Sequence, residues 1–504
     1  MPVVKIITEQ GESAVAAERG TGLYALLTSH GIHIDAPCGG NCFCGKCKVR
    51  AFPPQCDTLT EAERQFLTPE ELKNGVRLAC AYKIEGDTTV YAEPARQARI
   101  VADSAVEIRA DAGGTGYGAA IDLGTTTIVA YLYDLETGRK LGHRSAVNAQ
   151  TPYGADVITR IQYTMEHPDG LQVLHQRIVE QLEQLLAGLC TDCGAPPEKF
   201  ARAVVAGNTT MLHLLAGENP QTLAVSPFTP VFLGERRLDT QALGMRLKTE
   251  LLLMPSISAY VGADITAGLL ASKIHQAEKR MLFVDIGTNG EMALGNRDGI
   301  LCCSAAAGPA LEGARIACGK AGVAGAVNHF KMEGAKPVYT VIGGGPPDGI
   351  CGSGVVDVVA ALLDAGIIED TGYMEEDFVI DGDVRFTPRD VREVQLAKAA
   401  VAAGIEMMCA EAGVQPEEIG ACVIAGGFGS LMDCRSACRI GLIPEALLKK
   451  VQIAGNTAGA GAALYLLSEE ARRECAEIIR MARCLELSGM NGFETCFTEH
   501  MFFS

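Results

Sequence analysis

The run PCGGNCFCGKC at residues 37–47 puts Cys38, Cys42, Cys44 and Cys47 within ten residues. Thiols at this density form disulfides, hold zinc or hold an iron–sulfur cluster. The chain has 19 cysteines, an odd number that fits a disulfide framework poorly. Zinc ribbons use two C-x-x-C pairs; here only Cys44 and Cys47 have that spacing before residue 100. A distant thiol, Cys80, completes the set Cys38-x5-Cys44-x2-Cys47-x32-Cys80. Using Cys42 as well would crowd two ligands around a single residue, so Cys42 is expected to stand outside the set, as a bystander or a reserve. A second chemistry is written twice. AIDLGTTTIVAYL (120–132) and FVDIGTNGEMALG (283–295) share apolar-Asp-apolar-Gly-Thr at the same offsets. A Gly-Thr turn between strands offers N–H groups and hydroxyls to phosphate oxygens. The Asp that ends the first strand can hold Mg²⁺, usually through water. A third stretch, VIAGGFGS (423–430), is an apolar strand running into a Gly-Gly turn suited to adenosine.

Three stretches of chain must position these groups. Residues 1–93 read as one unit: VVKIIT alternates as a strand, GTGLYALLTSHGI is a short helix, and KVRAF and TTVYAE are strands. Thr60 with Glu63 and Thr68 with Glu71 are capping-box patterns opening two short helices. Residues 94–115 lose periodicity and finish on glycines, as a linker does. From residue 116 onward strands and helices alternate. Leu171, Leu174, Ile178, Leu182 and Leu185 mark one helix face, VVDVVAALLDAG marks another helix, and GNTAGAGAALYLL begins a third. A repeat spaced this widely indicates two similar lobes rather than a solenoid, divided as 116–280 and 281–504, the second carrying a C-terminal helix and tail.

Composition excludes several classes. Forty-three basic residues against 61 acidic ones give a net charge of −18, which argues against nucleic acid or an anionic membrane as main partner. LLLMPSISAYVGADITAGLLA is broken by Pro255 and Asp264 and reads as buried core, not a membrane span. The opening MPVVKIITEQ reads as a strand and not as a secretory signal, so a cytoplasmic location is expected. Cys56, the Cys190/Cys193 pair and the vicinal Cys302 and Cys303 read as small buried hydrophobes or free thiols, and no second cluster is expected.

The cysteine set resembles the [2Fe–2S] ferredoxins, and its five-residue first gap the adrenodoxin-like branch. Gly39, Gly40 and Gly45 would let backbone N–H groups approach the inorganic sulfides. The resemblance implies a β-grasp ferredoxin-like domain with Cys38, Cys44, Cys47 and Cys80 as ligands. Residues 116–470 resemble the superfamily of acetate and sugar kinases, heat-shock chaperones and actin. That implies a two-lobed ribonuclease-H-like ATPase, α/β in class beside the α+β ferredoxin part, with an ATP cleft and a hinge between lobes. Carried onto this sequence, Asp122, Gly124, Thr125, Thr126 and Thr127 form the first phosphate motif. Asp285, Gly287, Thr288, Asn289 and Gly290 form the second, and Gly426 and Gly427 the adenosine motif. Glu291 and Asp264 are candidates to position the attacking water, against plain readings as strand-end solvation and helix capping. ICGSGVV (350–356) is either a further phosphate-facing turn or an ordinary glycine-rich entry to a helix. AGNTT (206–210) is a capped strand-to-helix turn at the cleft.

A cluster domain fused to this ATPase, with the details IDLGTTT, DIGTNGE, AAAGPALEG, ICGSG and IAGGFG, resembles the reductive activators of corrinoid-dependent methyltransferases. The resemblance implies an anaerobic, ATP-hydrolysing iron–sulfur reductase with a [2Fe–2S] cluster, ATP and Mg²⁺. It would pass one electron to Co(II) of a separate corrinoid protein, regenerating the Co(I) needed for methyl transfer. An upstream donor (ferredoxin, flavodoxin or a reductase) would reload the cluster, and a homodimer is compatible. Longer members carry a middle domain after the cluster domain, where this chain has about 22 residues. Two other functions fit the same motifs: an ATP-gated donor to a different low-potential metalloenzyme, and a small-molecule kinase with a redox-sensing domain.

Overall fold

A computed structural model describes residues 1–8, 11–30, 32, 34, 36, 42, 45–52, 59–92, 114–429 and 431–503. Cys38, Cys44, Cys56 and nearly all of the expected linker lie outside the described residues. The chain divides into two compact units, Met1–Gln97 with Gln150–Arg160, and Ala98–Ala149 with Ile161–Ser504.

The first unit holds β1 (Val3–Thr8), β2 (Gly11–Ala16), β3 (Lys48–Phe52), β4 (Val76–Leu78) and β5 (Thr88–Tyr91) in one sheet of order β2-β1-β5-β3-β4. β1 and β2 form an antiparallel hairpin, and β5 runs parallel to β1. The alternation in VVKIIT explains the first strand: Val4 and Ile6 go inside while Val3 and Lys5 stay exposed. Helix Leu23–Ser29 closes the core with Leu23, Leu26 and Leu27. This is the β-grasp arrangement. Both capping boxes form, at Thr60/Glu63 and Thr68/Glu71. Glu63 also takes a buried two-pronged ion pair from Arg77, at 2.7 and 2.9 Å, so a charge the helix cap brings inside is fully partnered.

The second unit contains two six-stranded sheets. In the first, β6 (Tyr117–Leu123), β7 (Thr127–Asp134) and β8 (Lys140–Val147) make an antiparallel meander; β9 (Phe200–Gly207) lies parallel to β6, followed by β10 (Arg236–Asp239) and β11 (Glu250–Leu253), in order β10-β11-β9-β6-β7-β8. The second sheet repeats the plan. β12 (Met281–Ile286), β13 (Gly290–Asn296) and β14 (Gly299–Ala305) form the meander. After a small sheet of β15 (Ala326–Glu333), β16 (Lys336–Val341) and β17 (Gly349–Ile350), and a hairpin of β18 (Phe378–Asp381) and β19 (Val384–Phe386), the main sheet resumes. It adds β20 (Ala421–Ala425), β21 (Val451–Gly455) and β22 (Ala482–Cys484), in order β21-β20-β12-β13-β14-β22. β20 is parallel to β12 as β9 is to β6. The motif repeat seen in sequence is therefore a repeat of five strands of each sheet; the sixth differs, β10 lying antiparallel to β11 on one edge and β22 parallel to β14 on the other.

Two small-residue helices join the lobes. Helix Ala263–Ser272 follows the first sheet, and helix Thr457–Leu467 follows β21 yet packs on β6 and β9. They touch at backbone distance: a β-carbon on Gly461 would lie 2.0 Å from the carbonyl oxygen of Ala267. The helix read from leucine spacing spans Gly170–Asp192, with Leu174, Ile178, Leu182 and Leu185 buried. The apolar stretch near Pro255 becomes β11, a loop and helix Ala263–Ser272, and among the described residues no helix is long and apolar enough to cross a membrane.

Candidate functional site

In the first unit, Cys47 and Cys80 come from segments 33 residues apart and bring their sulfurs to 3.1 Å. Cys47 is fully buried. The hydrogen bond with Cys47, and then burial, hold the Cys80 thiol far above the ordinary cysteine range. The Cys80 thiol would stay protonated unless a metal centre took it as the thiolate, the form in which cysteine binds iron. Gly45 has φ +66°, and a β-carbon there would sit 2.6 Å from the Phe66 side chain, so only glycine lets the loop pack this closely. Cys42 also lies beside Cys80 and has φ +62°. These residues fit a cluster.

In the second unit the two Asp-x-Gly-Thr hairpins face the same cleft. Leu123 pairs with Ile128, leaving 124–127 as the first turn; Ile286 pairs with Gly290, leaving 287–289 as the second. Cross-strand partners share a face of the sheet. Asp285 pairs with Glu291, which sets both carboxyls toward the cleft, whereas Gly290 pairs with buried Ile286. Gly290 is accordingly turned to the core, where a β-carbon would lie 2.8 Å from Val401.

Asp122, Asp264, Asp285 and Glu291 lie within electrostatic reach of one another, each enclosed by protein yet keeping some contact with solvent. Burial pushes Asp122 up to about 7, aided by Asp264 and opposed by a hydrogen bond from Asn456. Asp264 is raised to about 6 by burial, against the N–H of Ile265. Asp285 is raised to about 7 by burial, then by Asp264 and Asp122. Burial and the charges of Asp264 and Asp285 hold Glu291 well above the carboxylate range. Four acids on one floor repel each other, so the cleft favours a proton or a divalent cation.

Asparagine caps contributed from distant turns fix this floor. Asn456 caps helix Thr457–Leu467 through the N–H of Gly459 and donates its amide to Asp122 Oδ2 at 2.8 Å. Asn208, from AGNTT, caps helix Thr209–Ala216 through the N–H of Met211 and donates to Thr125 Oγ1 at 2.8 Å. Asn148 holds the first turn through the Gly124 carbonyl at 2.9 Å. Thr288 Oγ1 donates to Glu312 at 3.0 Å. Gly426 has φ +83° and passes Asp285 so closely that a β-carbon would lie 2.5 Å from Oδ1, so the glycine pair of VIAGGFGS abuts the second Asp-x-Gly-Thr hairpin. The expected Gly-Gly turn forms instead a short helix, Gly426–Gly429, with Gly427 exposed; Thr126 is exposed at its turn, and Thr127 begins β7. In ICGSGVV, Cys351 caps helix Gly352–Asp364, whose first residues are buried. That favours the plain helix-entry reading. Of the partner residues, AGNTT was visible in sequence and Asn456 carried the signal of an Asn before a glycine–alanine helix; Glu312 lies within AAAGPALEG, a stretch noted in sequence without a role for that residue.

Cys190, Cys302, Cys303, Cys351, Cys409, Cys422, Cys475 and Cys496 are buried, as the small-hydrophobe reading expects.

Fold and site together define a ferredoxin-type unit joined to a two-lobed ATPase. Comparison with known proteins agrees. Residues 6–85 match the 2Fe-2S iron-sulfur cluster binding domain, residues 117–277 the RACo middle region, and residues 279–504 the C-terminal domain of RACo, the ASKHA domain. The chain is 37% identical over 404 residues to the corrinoid activation enzyme RamQ of Eubacterium limosum, covering 74% of this chain and 68% of that protein. It is 29% identical over 407 residues to the Co(II) methylated amine-specific corrinoid protein reductase of Methanosarcina barkeri, covering 72% of each. The solved structure of a reductive activator for corrinoid,iron-sulfur protein superposes with a TM-score of 0.70 at 30% identity, over 99% of this chain and 98% of that one. The chain belongs to the family of reductive activators of corrinoid proteins. What the family names its middle region lies at 117–277, inside the two-lobed part, and not in the stretch 94–115 where the sequence suggested a middle domain to be wanting.

Proposed function

We propose that this protein uses ATP to drive one-electron reduction of a separate corrinoid protein from Co(II) to Co(I), restoring it for methyl transfer. The observation that carries this reading is the presence in one chain of the converging thiols of Cys47 and Cys80 and a cleft floored by Asp122, Asp264, Asp285 and Glu291. Relatives named for corrinoid activation and corrinoid-protein reduction support it over a metabolite kinase.

A [2Fe–2S] cluster held by Cys38, Cys44, Cys47 and Cys80 supplies single low-potential electrons when bound. A ferredoxin, flavodoxin or reductase is the donor that reloads it. In the cleft, Asp122 and Asp285 would hold Mg²⁺, which would supply positive charge to the phosphates. The hydroxyls of Thr125, Thr126 and Thr288 and the N–H groups of the two turns donate to phosphate oxygens. Gly426 admits the nucleoside beside Asp285, with Gly427 next in the short helix. Asp264, raised to about 6, has the basicity wanted of a group that takes a proton from the attacking water near neutral pH; Glu291, pushed up by burial and by Asp264 and Asp285, is the other candidate to position that water.

The test is ATP hydrolysis by the cluster-loaded protein with and without a Co(II) corrinoid protein from a methyltransferase system. Hydrolysis should rise with the corrinoid protein and vanish in Asp122→Ala. Stimulation by a non-corrinoid metalloenzyme alone would redirect the electron. Phosphorylation of a metabolite with no protein partner would replace the reading with a kinase.

A further inference from the structure

Beyond the cleft and the cysteine loop, one mixed set of metal-ligating side chains among the described residues stands on two packed helices. Helix Phe493–Glu499 carries Cys496, and His500 follows as its cap residue. The two are four positions apart, and the His500 N–H still donates to the Cys496 carbonyl at 3.0 Å. Their side chains therefore lie one above the other on the same helix face. That face packs on the long helix Pro388–Ala412, which supplies Glu406. The ligand atoms of Glu406, Cys496 and His500 all lie within 4.8 Å of one another, and His500 Nε2 is 2.8 Å from Glu406 Oε2.

We propose that Glu406, Cys496 and His500 form a zinc site, with water as the fourth ligand. The combination of thiolate, imidazole and carboxylate suits Zn²⁺, whereas Mg²⁺ and Ca²⁺ want oxygen donors alone. Zinc bonds of about 2.0–2.3 Å put tetrahedral ligand atoms roughly 3.3–3.7 Å apart. The site thus needs the His–Glu contact to open by roughly half an ångström and the sulfur, now within 4.8 Å of both partners, to come to roughly 3.5 Å, which rotamer adjustments at an exposed Glu406 can help to supply. Cys496 is buried and its thiol leans on the Glu406 carboxylate. Binding would exchange that thiol proton for the metal: Zn²⁺ replaces H⁺ on sulfur, and the proton leaves to solvent. The ion would pin helix Phe493–Glu499 to the long helix. The long helix already holds the segment that follows His500, where Gln395 donates to the Met501 carbonyl at 2.6 Å and Lys398 to that of Phe502. Val401 of the long helix backs Gly290, so the clamp would stiffen the support of the second phosphate hairpin.

The experiment uses the full-length, cluster-loaded protein under anaerobic conditions. It is exposed to zinc chloride, desalted, and assayed for metal by mass spectrometry, with the visible cluster spectrum recorded to show that zinc has not displaced iron. Wild type should retain about one zinc per chain more than His500→Ala. Glu406→Gln, a size-conserving change at an exposed position, keeps the test meaningful if Cys496→Ala fails to fold; it should weaken retention at least tenfold. Cobalt(II) should give a thiolate-to-metal charge-transfer band in the difference spectrum, absent in Cys496→Ser. No zinc in wild type above the His500→Ala level, or retention by Glu406→Gln equal to that of wild type, would overturn the assignment.

Discussion

Asp285→Asn is expected to have two opposite effects: it should abolish turnover of Mg²⁺-ATP while stabilising the nucleotide-free protein at pH 8. The Asp285 carboxyl is raised to about 7, by burial and then by Asp264 and Asp122. A carboxyl whose folded pKa exceeds its unfolded value of about 3.9 keeps its proton longer in the native state. Between roughly pH 4 and 7 the unfolded chain binds fewer protons, so stability falls as pH rises through that window. Above 7 the whole penalty is present. At about 1.4 kcal/mol per pK unit, the shift sets a ceiling of roughly 4 kcal/mol. Asp285 keeps some solvent contact, so screening reduces this, and ~2 kcal/mol is the working value. About half of that develops between pH 5.5 and 8. Asparagine is nearly isosteric and uncharged. In EDTA and without nucleotide, it should therefore gain ~1 kcal/mol on wild type in going from pH 5.5 to 8. Urea unfolding followed by far-UV circular dichroism measures this, the chain having no tryptophan. The transition that Mg²⁺-ATP shifts in wild type marks the ATPase unit. A deficit of Asp285→Asn that is the same at both pH values would refute the electrostatic reasoning.

Gly426→Ala forces a β-carbon into a left-handed backbone and to 2.5 Å from Asp285 Oδ1; nucleotide binding, read by titration with a fluorescent ATP analogue, should weaken at least tenfold while the cluster spectrum is unchanged. Gly461→Val drives a side chain into the Ala267 backbone and should cost ~3 kcal/mol or more in urea unfolding, with loss of ATP hydrolysis. Cys42→Ala should keep the visible cluster spectrum, whereas Cys47→Ala and Cys80→Ala should lose it; the reverse pattern would put Cys42 in the ligand set.

The local chemistry of this chain was legible because it is written in short, position-locked patterns. Four cysteines at fixed gaps and two Asp-x-Gly-Thr turns declare themselves without knowledge of neighbours. The sheet repeat followed from those turns, and the helix Gly170–Asp192 from its apolar period. What sequence hid depends on chain meeting chain. Asn456 reaches Asp122 across 334 positions, and only its place before a glycine–alanine helix hinted at a cap. Glu312 stands in the AAAGPALEG stretch, but nothing in the sequence pairs it with Thr288. Gly290 looked like part of the phosphate turn, but strand register fixes its face: opposite Ile286 it must look inward, just as Glu291 opposite Asp285 must look out. The small sheet of β15–β17 interrupts the second lobe with no counterpart in the first, and so escaped the repeat.

The central claim, that ATP in the cleft drives an electron onto cobalt, is tested most directly by watching Co(I) form. Plant-type clusters sit near about −400 mV, and for one electron each ~59 mV uphill costs a factor of about ten. A cobalt couple lying below the cluster would leave little Co(I) at equilibrium without a second source of free energy. The measurement mixes reduced protein with a Co(II) corrinoid protein under strict anaerobiosis and follows the Co(I) absorbance. Co(I) should accumulate with Mg²⁺-ATP and stay near baseline with a non-hydrolysable analogue or with Asp285→Ala. Equal Co(I) yields with and without ATP would contradict the account.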